Sequence, residues 1–254
     1  KKKYQKSYII FIFLENMVRI RDMVNKIKIY HDGPTLKEIK NPISKLIKGY
    51  TFNPTLFRQI GIKNYLDGCK KIIKLTAPMD TSLEVIADDV KNMINQGILL
   101  SKISKNVSVK VPIIFTNGKS TKKVIAELIN KKIKLNITAI FTLKQIKEIM
   151  PIVKNTQTIL SVFMGRIYDT GTDGDILSEK ISDYVRKNSK CKLLWASTRM
   201  SYDVIRAQKS KFDIITMGTD TIKKIKNFNK PLSKASIDTV KNFYIDAKKS
   251  KYKI

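Results

Sequence analysis

The stretch Asn106-Val107-Ser108-Val109-Lys110-Val111-Pro112 is rich in valine and has the length of a buried β-strand. Its one unexpected residue is Lys110. Burying an ammonium group disfavours the charged form, so a lysine in this place is a candidate amine nucleophile that attacks a carbonyl group to form a Schiff base. The alternative is an edge-strand lysine whose head reaches water. The rest of the sequence favours the nucleophile.

Similar apolar segments recur along the chain, separated by segments of helical periodicity, at a mean spacing of about 26 residues. This spacing is typical of parallel strands that are each followed by a covering helix, and it predicts an α/β protein with a single (β/α)8 TIM barrel over residues 25–254. Residues 1–24 are predicted to be an N-terminal extension outside the fold. A doubly wound open sheet is the alternative. The predicted strands lie near residues 27–31, 48–52, 82–86, 107–111, 134–138, 158–163, 192–197 and 213–216.

Two of the intervening helices have recognisable starts. Ser120 is predicted to cap the helix between strands four and five, and Asp175 the helix after strand six. Their apolar faces repeat with the 3.6-residue period. The residues of these faces are Val124, Ile125, Leu128 and Ile129 in the first helix, and Ile176, Leu177, Ile181 and Val185 in the second.

The chain is strongly basic, with 50 Lys and Arg against 21 Asp and Glu and a net charge of +29. Such a charge normally suggests a nucleic-acid partner. Only seven of the basic residues are arginine, however, and the lysines are spread along the whole chain. Because readers of phosphates and bases draw heavily on arginine, nucleic-acid binding is not expected as the main function. A non-catalytic, basic nucleic-acid-binding protein is kept as an alternative.

Residue counts also limit the chemistry. The two cysteines, Cys69 and Cys191, are too few for a disulfide framework. We therefore expect a reduced, cytoplasmic protein in which both cysteines are ordinary packing residues. His31 is the single histidine, which argues against a metal site, and the chain has no glycine-rich phosphate loop, so no cofactor is expected. The apolar run at residues 8–14 is too short to span a membrane.

Polar residues stand at or just after the ends of the predicted strands. In a barrel these positions converge at one face, where functional groups gather. Any one of these residues could instead cap a helix or fill a barrel layer, but an amine, two carboxyl groups and two guanidinium groups together favour an active site. The set is Asp32, Thr51, Asn53, Glu84, Lys110, Asn136, Thr138, Ser161, Arg166, Ser197 and Arg199.

Four short segments that contain several of these residues occur in the same order as in transaldolases. The chain resembles the transaldolase family, most closely the short branch that includes fructose 6-phosphate aldolase, from about Lys26 to the C-terminus. The segments are Thr51-Phe52-Asn53-Pro54-Thr55-Leu56, Lys110-Val111-Pro112, Asn136-Ile137-Thr138 and Phe163-Met164-Gly165-Arg166. Lys28-Ile29-Tyr30-His31-Asp32 and Ala196-Ser197-Thr198-Arg199 fall where the family has its first-strand aspartate and second phosphate arginine.

The resemblance implies a role for each residue. Lys110 would form the Schiff base with a ketose phosphate, and Asp32 would take the proton from the C4 hydroxyl. Glu84 and Thr138 would move protons through an ordered water. Arg166 and Arg199 would bind the phosphate. The remaining residues, Thr51, Asn53, Asn136, Ser161 and Ser197, would bind substrate hydroxyls or position the lysine.

The resemblance also bears on the reaction. Glu84 stands where related transaldolases have glutamate and fructose 6-phosphate aldolases have glutamine, which favours transfer of a dihydroxyacetone unit to an aldose phosphate, as in the pentose phosphate pathway. An aldolase-type lyase or a sugar aldolase of altered specificity is the alternative. Phe52 and Met164 depart from the family pattern and are expected to reshape the acceptor pocket. Sugar phosphates are the expected partners, and a homo-oligomer is expected.

Overall fold

Eight parallel strands form a closed barrel in which neighbours in sequence are neighbours in space. The structure, a computed structural model, describes residues 26–252. The predicted barrel is therefore confirmed, and the open sheet is wrong because β1 pairs with β8. The strands are β1 (Lys28–Asp32), β2 (Ile47–Thr51), β3 (Asp80–Glu84), β4 (Val107–Pro112), β5 (Leu135–Ile140), β6 (Ile159–Val162), β7 (Lys192–Trp195) and β8 (Ile214–Met217).

Helices cover the outside of the barrel. Apolar side chains of these helices and of the outward-facing strand positions form the buried shell between the two layers. Cys69 and Cys191 are both buried. The helices are α1 (Leu36–Lys40), α2 (Pro54–Gln59), α3 (Tyr65–Thr76), α4 (Val90–Ser101), α5 (Lys122–Asn130), α6 (Leu143–Val153), α7 (Met164–Asp169), α8 (Gly174–Asn188), α9 (Asp203–Lys209) and α10 (Thr219–Lys224).

The predicted strands agree with the observed ones to within two residues at each end. Strand β6 stops at Val162 and β7 at Trp195, so Arg166 belongs to helix α7 and Arg199 to the loop after β7. The backbone pairing nevertheless continues one residue past each strand, because the Phe163 N–H donates to the Ile140 carbonyl oxygen and the Ala196 N–H to that of Val162.

Neither predicted residue is at the N-cap position, although Ser120 Oγ accepts from the backbone N–H of Lys122, the first residue of its helix, at 3.3 Å. Helix α5 has Thr121 at its N-cap, and the Thr121 hydroxyl donates to the carbonyl oxygen of Pro112 at 2.6 Å rather than capping the helix. Helix α8 is capped by Asp173, which accepts from the Ile176 backbone N–H at 3.1 Å. Asp175 instead accepts from the Tyr168 hydroxyl at 2.6 Å. The first turn of α8 consequently turns Ile176 outward, where it is 52% exposed.

The amino end of the barrel interior is closed by Tyr30. Its ring lies over Gly49 and its hydroxyl donates to Asp80 Oδ2 at 3.1 Å, while the Ser108 hydroxyl donates to Asp80 Oδ1 at 2.7 Å. Above this layer the interior is filled by an apolar cluster of Tyr30, Ile159, Leu194, Ala196 and Ile214. This apolar cluster separates the polar groups at the carboxyl end of the barrel from the Tyr30–Asp80–Ser108 group at the amino end.

The segment after Lys223 forms a second compact unit, described here for residues 224–252. It contains a short 3₁₀ helix (Ile225–Asn227) and α11 (Leu232–Ser250), with an ion pair between Lys230 and Asp238. The predicted boundary at 25–254 thus includes two units, and the predicted extension at 1–24 lies outside the described residues. None of the described helices has the length and hydrophobicity that a membrane crossing requires.

We expect Gly49→Ala to lower the free energy of unfolding by about 1–3 kcal/mol, as overpacking does. A Cβ at Gly49 would lie 2.6 Å from the Tyr30 ring, so the ring must move away from Asp80. Gly218→Ala is the matched control, because a Cβ there meets nothing within 4 Å. Urea unfolding of both variants measures the effect, and equal stabilities would contradict the proposed role of the Tyr30 floor.

Candidate active site

Lys110 lies inside the barrel, beside a carboxylate. The parallel register aligns Glu84 of β3 with Lys110 of β4, and Lys110 with Asn136 of β5. Aligned residues project to the same face, so Lys110 Nζ lies 3.0 Å from Glu84 Oε2 and 3.4 Å from the Phe52 carbonyl oxygen. Of the lysines that the structure describes, Lys110 alone is buried. The carboxylate compensates its charge and provides an acceptor for its proton.

Asn136 is held in place by hydroxyl groups on both sides. Its Nδ2 donates to Ser82 Oγ at 3.0 Å, and its Oδ1 accepts from Ser161 Oγ at 2.6 Å. The three side chains come from β3, β5 and β6 and are all buried. Ser82 was not predicted as a site residue, because alone it resembles any small residue in a barrel layer.

Asp32 lies at the end of β1, where its Oδ1 accepts a hydrogen bond from Thr51 Oγ1 at 2.6 Å. Thr51 Oγ1 also lies 2.5 Å from Thr216 Oγ1 of β8. Burial raises the pKa of Asp32, against the opposing effects of the Thr51 hydrogen bond and the Lys110 charge. This environment suits a carboxyl group that must both take up and release a proton.

Thr138 and Asn53 have different surroundings. Thr138 Oγ1 is buried, and the described residues offer it no hydrogen-bond partner, so its bonding capacity is available to a bound molecule. Asn53 Oδ1 accepts from the Leu56 backbone N–H at 2.9 Å and caps α2. Asn53 therefore combines the capping role with a place in the cavity wall.

The two arginines are brought together by a close backbone approach. A Cβ at Gly165 would lie 1.6 Å from the Ser197 carbonyl oxygen, so only glycine permits this contact between α7 and the loop after β7. Ser197 itself has a left-handed conformation, with φ of 62°. The contact places Arg166 and Arg199 on the same side of the cavity.

The two guanidinium groups differ in their partners. Arg166 lies over the Phe163 ring, 5.3 Å from its centroid, and forms no salt bridge within the described chain. Arg199 is paired with Asp169, with Nη2 2.5 Å from Oδ2. The hydrogen bond from Arg199 lowers the pKa of Asp169, which keeps this carboxylate charged. An anion that reaches both arginines would therefore compete with Asp169 for Arg199.

A cavity of about 470 Å³ at the carboxyl end of the barrel brings together ten of the eleven predicted residues. Glu84 is absent from its wall and is connected to it through Lys110. Thr216 could have been found from the single polar residue in Ile214-Ile215-Thr216-Met217. The lining residues that were not predicted are Leu56, Gln59, Phe163, Leu194, Ala196, Thr198, Thr216 and Gly218.

Phe52 and Met164, the two departures from the family pattern, do not form part of the cavity wall. Both side chains are completely buried, and neither lines the cavity. The Phe52 ring points outward and packs on Phe57, with ring centroids 5.3 Å apart. Phe52 contributes only its carbonyl oxygen to the site, because the strand alternation turns its side chain into the helix layer.

The described residues contain no group of three or more His, Cys, Asp or Glu side chains that could hold a metal ion. His31 is fully buried outside the cavity, with Nε2 3.0 Å from Thr219 Oγ1. Burial lowers the pKa of His31 to about 4, so the ring is neutral at physiological pH.

Comparisons with known proteins find similar proteins over most of the chain. The family model for transaldolase/fructose-6-phosphate aldolase matches residues 29–254. A protein named "Probable transaldolase" from Methanococcus maripaludis is 32% identical over 210 residues, which are 81% of this chain and 92% of that protein. Another of the same name, from Nitrosopumilus maritimus, is 31% identical over 88% of this chain and 96% of its own length.

Solved structures resemble the fold alone. The crystal structure of N-acetylneuraminate lyase from Mycoplasma synoviae superposes with a TM-score of 0.51 at 10% identity, covering 88% of this chain and 82% of the lyase. Thiamine phosphate pyrophosphorylase from Pyrococcus furiosus superposes with a TM-score of 0.50 at 11% identity, covering 81% of this chain and 96% of the pyrophosphorylase. At these identities the similarity confirms the barrel architecture.

We expect Asp32→Asn to stabilise the protein increasingly as pH rises. Burial places the folded-state pKa of Asp32 above its unfolded value of about 3.9, so ionising this group costs the wild type stability. The cost is absent below that value and complete above the folded-state pKa. Urea unfolding between pH 4 and 8 measures the difference, with Asp220→Asn on the exposed side of α10 as control. A pH-independent difference would contradict the assignment.

Proposed function

Because the chain belongs to the transaldolase/fructose-6-phosphate aldolase family, we propose that it transfers a dihydroxyacetone unit from a ketose phosphate to an aldose phosphate through a Schiff base on Lys110. The observation that carries the proposal is the buried amine of Lys110, 3.0 Å from Glu84, in a cavity that also holds Asp32 and two arginines. Fructose 6-phosphate and sedoheptulose 7-phosphate are the proposed donors.

The first step is attack of Lys110 Nζ on the C2 carbonyl carbon. The attacking amine must be neutral, and Glu84 Oε2 is the nearest carboxylate oxygen to receive its proton. Loss of the former carbonyl oxygen as water from the carbinolamine then gives the iminium ion. Protonation of that leaving oxygen needs an acid, and Glu84 with the unpartnered Thr138 hydroxyl supplies the proton route.

The second step breaks the bond between C3 and C4. Asp32 takes the proton from the C4 hydroxyl, the C4 carbon leaves as an aldehyde, and the electron pair of the broken bond moves into the iminium to give an enamine on Lys110. The raised pKa of Asp32 supports this role, because a more basic carboxylate accepts the proton more readily. Thr51 holds the carboxylate through its 2.6 Å hydrogen bond.

The phosphate would bind between Arg166 and Arg199. Guanidinium groups bind phosphate oxygens in pairs, and the contact of Gly165 with the Ser197 carbonyl keeps the two arginines on one side of the cavity. In the same proposal, Asp169 holds Arg199 until the phosphate replaces it. Asn53, Asn136, Ser161 and Ser197 would contact the substrate hydroxyls.

Borohydride trapping tests the Schiff base. Incubation with fructose 6-phosphate and borohydride should reduce the iminium to a stable secondary amine, and peptide mass spectrometry should locate it on Lys110. Lys110→Met should give no adduct and lower kcat by roughly a thousandfold or more. Lys110→Arg keeps a cation beside Glu84 and serves as the control for folding.

Two results would contradict this assignment. One is an adduct on another lysine in the folded wild-type protein. The other is substantial turnover by Lys110→Met with far-ultraviolet circular dichroism like that of the wild type.

Glu84→Gln tests the proton route and the choice of transfer over cleavage. We expect kcat for transfer to erythrose 4-phosphate to fall by about a hundredfold, since a general acid–base contributes about 10²–10⁴. Binding of the phosphate should change little. Release of free dihydroxyacetone without an acceptor should be slow in the wild type. Rapid release there would favour the lyase, and unchanged kinetics in the variant would remove Glu84 from the mechanism.

A further inference from the structure

A second cavity of about 470 Å³ opens at the amino end of the barrel, opposite the active site. Its wall contains the first residues of several strands, among them Lys28, Asp80 and Lys192, together with the loops that precede β5 and β6. The apolar cluster around Tyr30, Ile159 and Ile214 separates it from the catalytic end. The proposed catalytic mechanism uses none of the residues of this cavity.

The floor of the amino-end cavity is polar, with the half-buried Asp80 between the buried Tyr30 and Ser108. The Tyr30 hydroxyl donates to Asp80 Oδ2 at 3.1 Å, and the Ser108 hydroxyl donates to Asp80 Oδ1 at 2.7 Å. Tyr30 and Ser108 are each only 4% exposed. Each carboxylate oxygen has capacity for a further hydrogen bond, so the floor can accept from hydroxyl groups of a ligand.

The rim is strongly cationic. Lys28, Lys132, Lys134 and Lys192 line the cavity, against the single carboxylate of Asp80. Within the described chain, Lys28 and Lys132 form no salt bridge, and the nearest carboxylate to Lys192 is Asp213 at 3.9 Å. Lys134 Nζ donates to the Lys105 carbonyl oxygen at 2.9 Å, and the charges of Lys28 and Lys134 act on Asp80. Four ammonium groups around one opening still outnumber the carboxylates beside them, and this excess positive charge attracts an anion such as a phosphate.

We propose that this cavity is a second, non-catalytic binding site for a small phosphorylated polyol. The phosphate would lie among the rim lysines, and the hydroxyl groups would reach the Tyr30–Asp80–Ser108 floor. The arrangement of an anion-binding rim above a hydrogen-bond acceptor selects a ligand with a charged end and an uncharged, hydroxylated end. Binding would stabilise the folded barrel, because all of these contacts exist only in the folded state.

Calorimetric titration with glycerol 3-phosphate tests the proposal. This probe has no carbonyl group and cannot form a Schiff base. The full chain carrying Arg166→Ala and Arg199→Ala is used, so that the guanidinium pair of the other cavity is removed. We expect saturable binding with one site per chain. Adding Lys28→Gln and Lys132→Gln should raise Kd at least tenfold.

Two further variants define the site. Lys123→Gln with Lys144→Gln removes the same charge from exposed helix positions away from the cavity and should leave Kd unchanged. Asp80→Asn should weaken the binding of glycerol 3-phosphate more than the binding of inorganic phosphate, because only glycerol 3-phosphate has carbon-bound hydroxyl groups that can contact the floor. Circular dichroism confirms that each variant is folded.

Several results would overturn the proposal. Absence of saturable binding excludes the site. An equal loss of affinity in the Lys28/Lys132 variant and in the Lys123/Lys144 variant would mean that binding depends on net charge alone. Equal affinities for inorganic phosphate and glycerol 3-phosphate, unaffected by Asp80→Asn, would exclude recognition of a polyol. Because the assay does not depend on turnover, its failure is separate from any failure of the Schiff-base proposal.

Discussion

The ion pair between Lys110 and Glu84 is the interaction on which the site depends. A buried ammonium group without a partner costs several kcal/mol, and the 3.0 Å contact with Glu84 provides that partner. The pair exists because the parallel register sets the two residues side by side on adjacent strands. A shift of one residue between β3 and β4 would turn one of the two side chains into the apolar helix layer.

The interior of the barrel divides into layers with different tasks. Tyr30 and its apolar neighbours fill the lower interior and leave the functional groups above them. The upper layer holds polar groups fixed by one another, as Asn136 is by Ser82 and Ser161. Such networks position side chains without the mobility of exposed loops. The glycines at 49 and 165 serve both layers, because each allows an approach that a Cβ would prevent.

Local patterns in the sequence were informative where a single residue type dominates. The recurring apolar segments located all eight strands, and the polar residues after them located ten of the cavity residues. Local patterns failed where neighbouring polar residues compete. Ser120 and Thr121 are both plausible caps, as are Asp173 and Asp175. Thr121 bonds instead to Pro112 of β4, and Asp175 to Tyr168 of α7, so other elements of the fold decide how each polar residue is used.

The amino-acid sequence alone was enough to predict the architecture, the lysine within β4 and the set of polar residues at the strand ends, because strand alternation and helix periodicity are local properties of the chain. The direction in which each side chain points depended on the three-dimensional packing. It left Phe52 and Met164 out of the cavity wall, added Thr216 to that wall, placed Ser82 beside Asn136, and paired Arg199 with Asp169. It also formed the cationic cavity at the amino end, from lysines far apart in sequence. These features depend on register, closure of the barrel and close backbone contacts, which join residues that no local pattern relates.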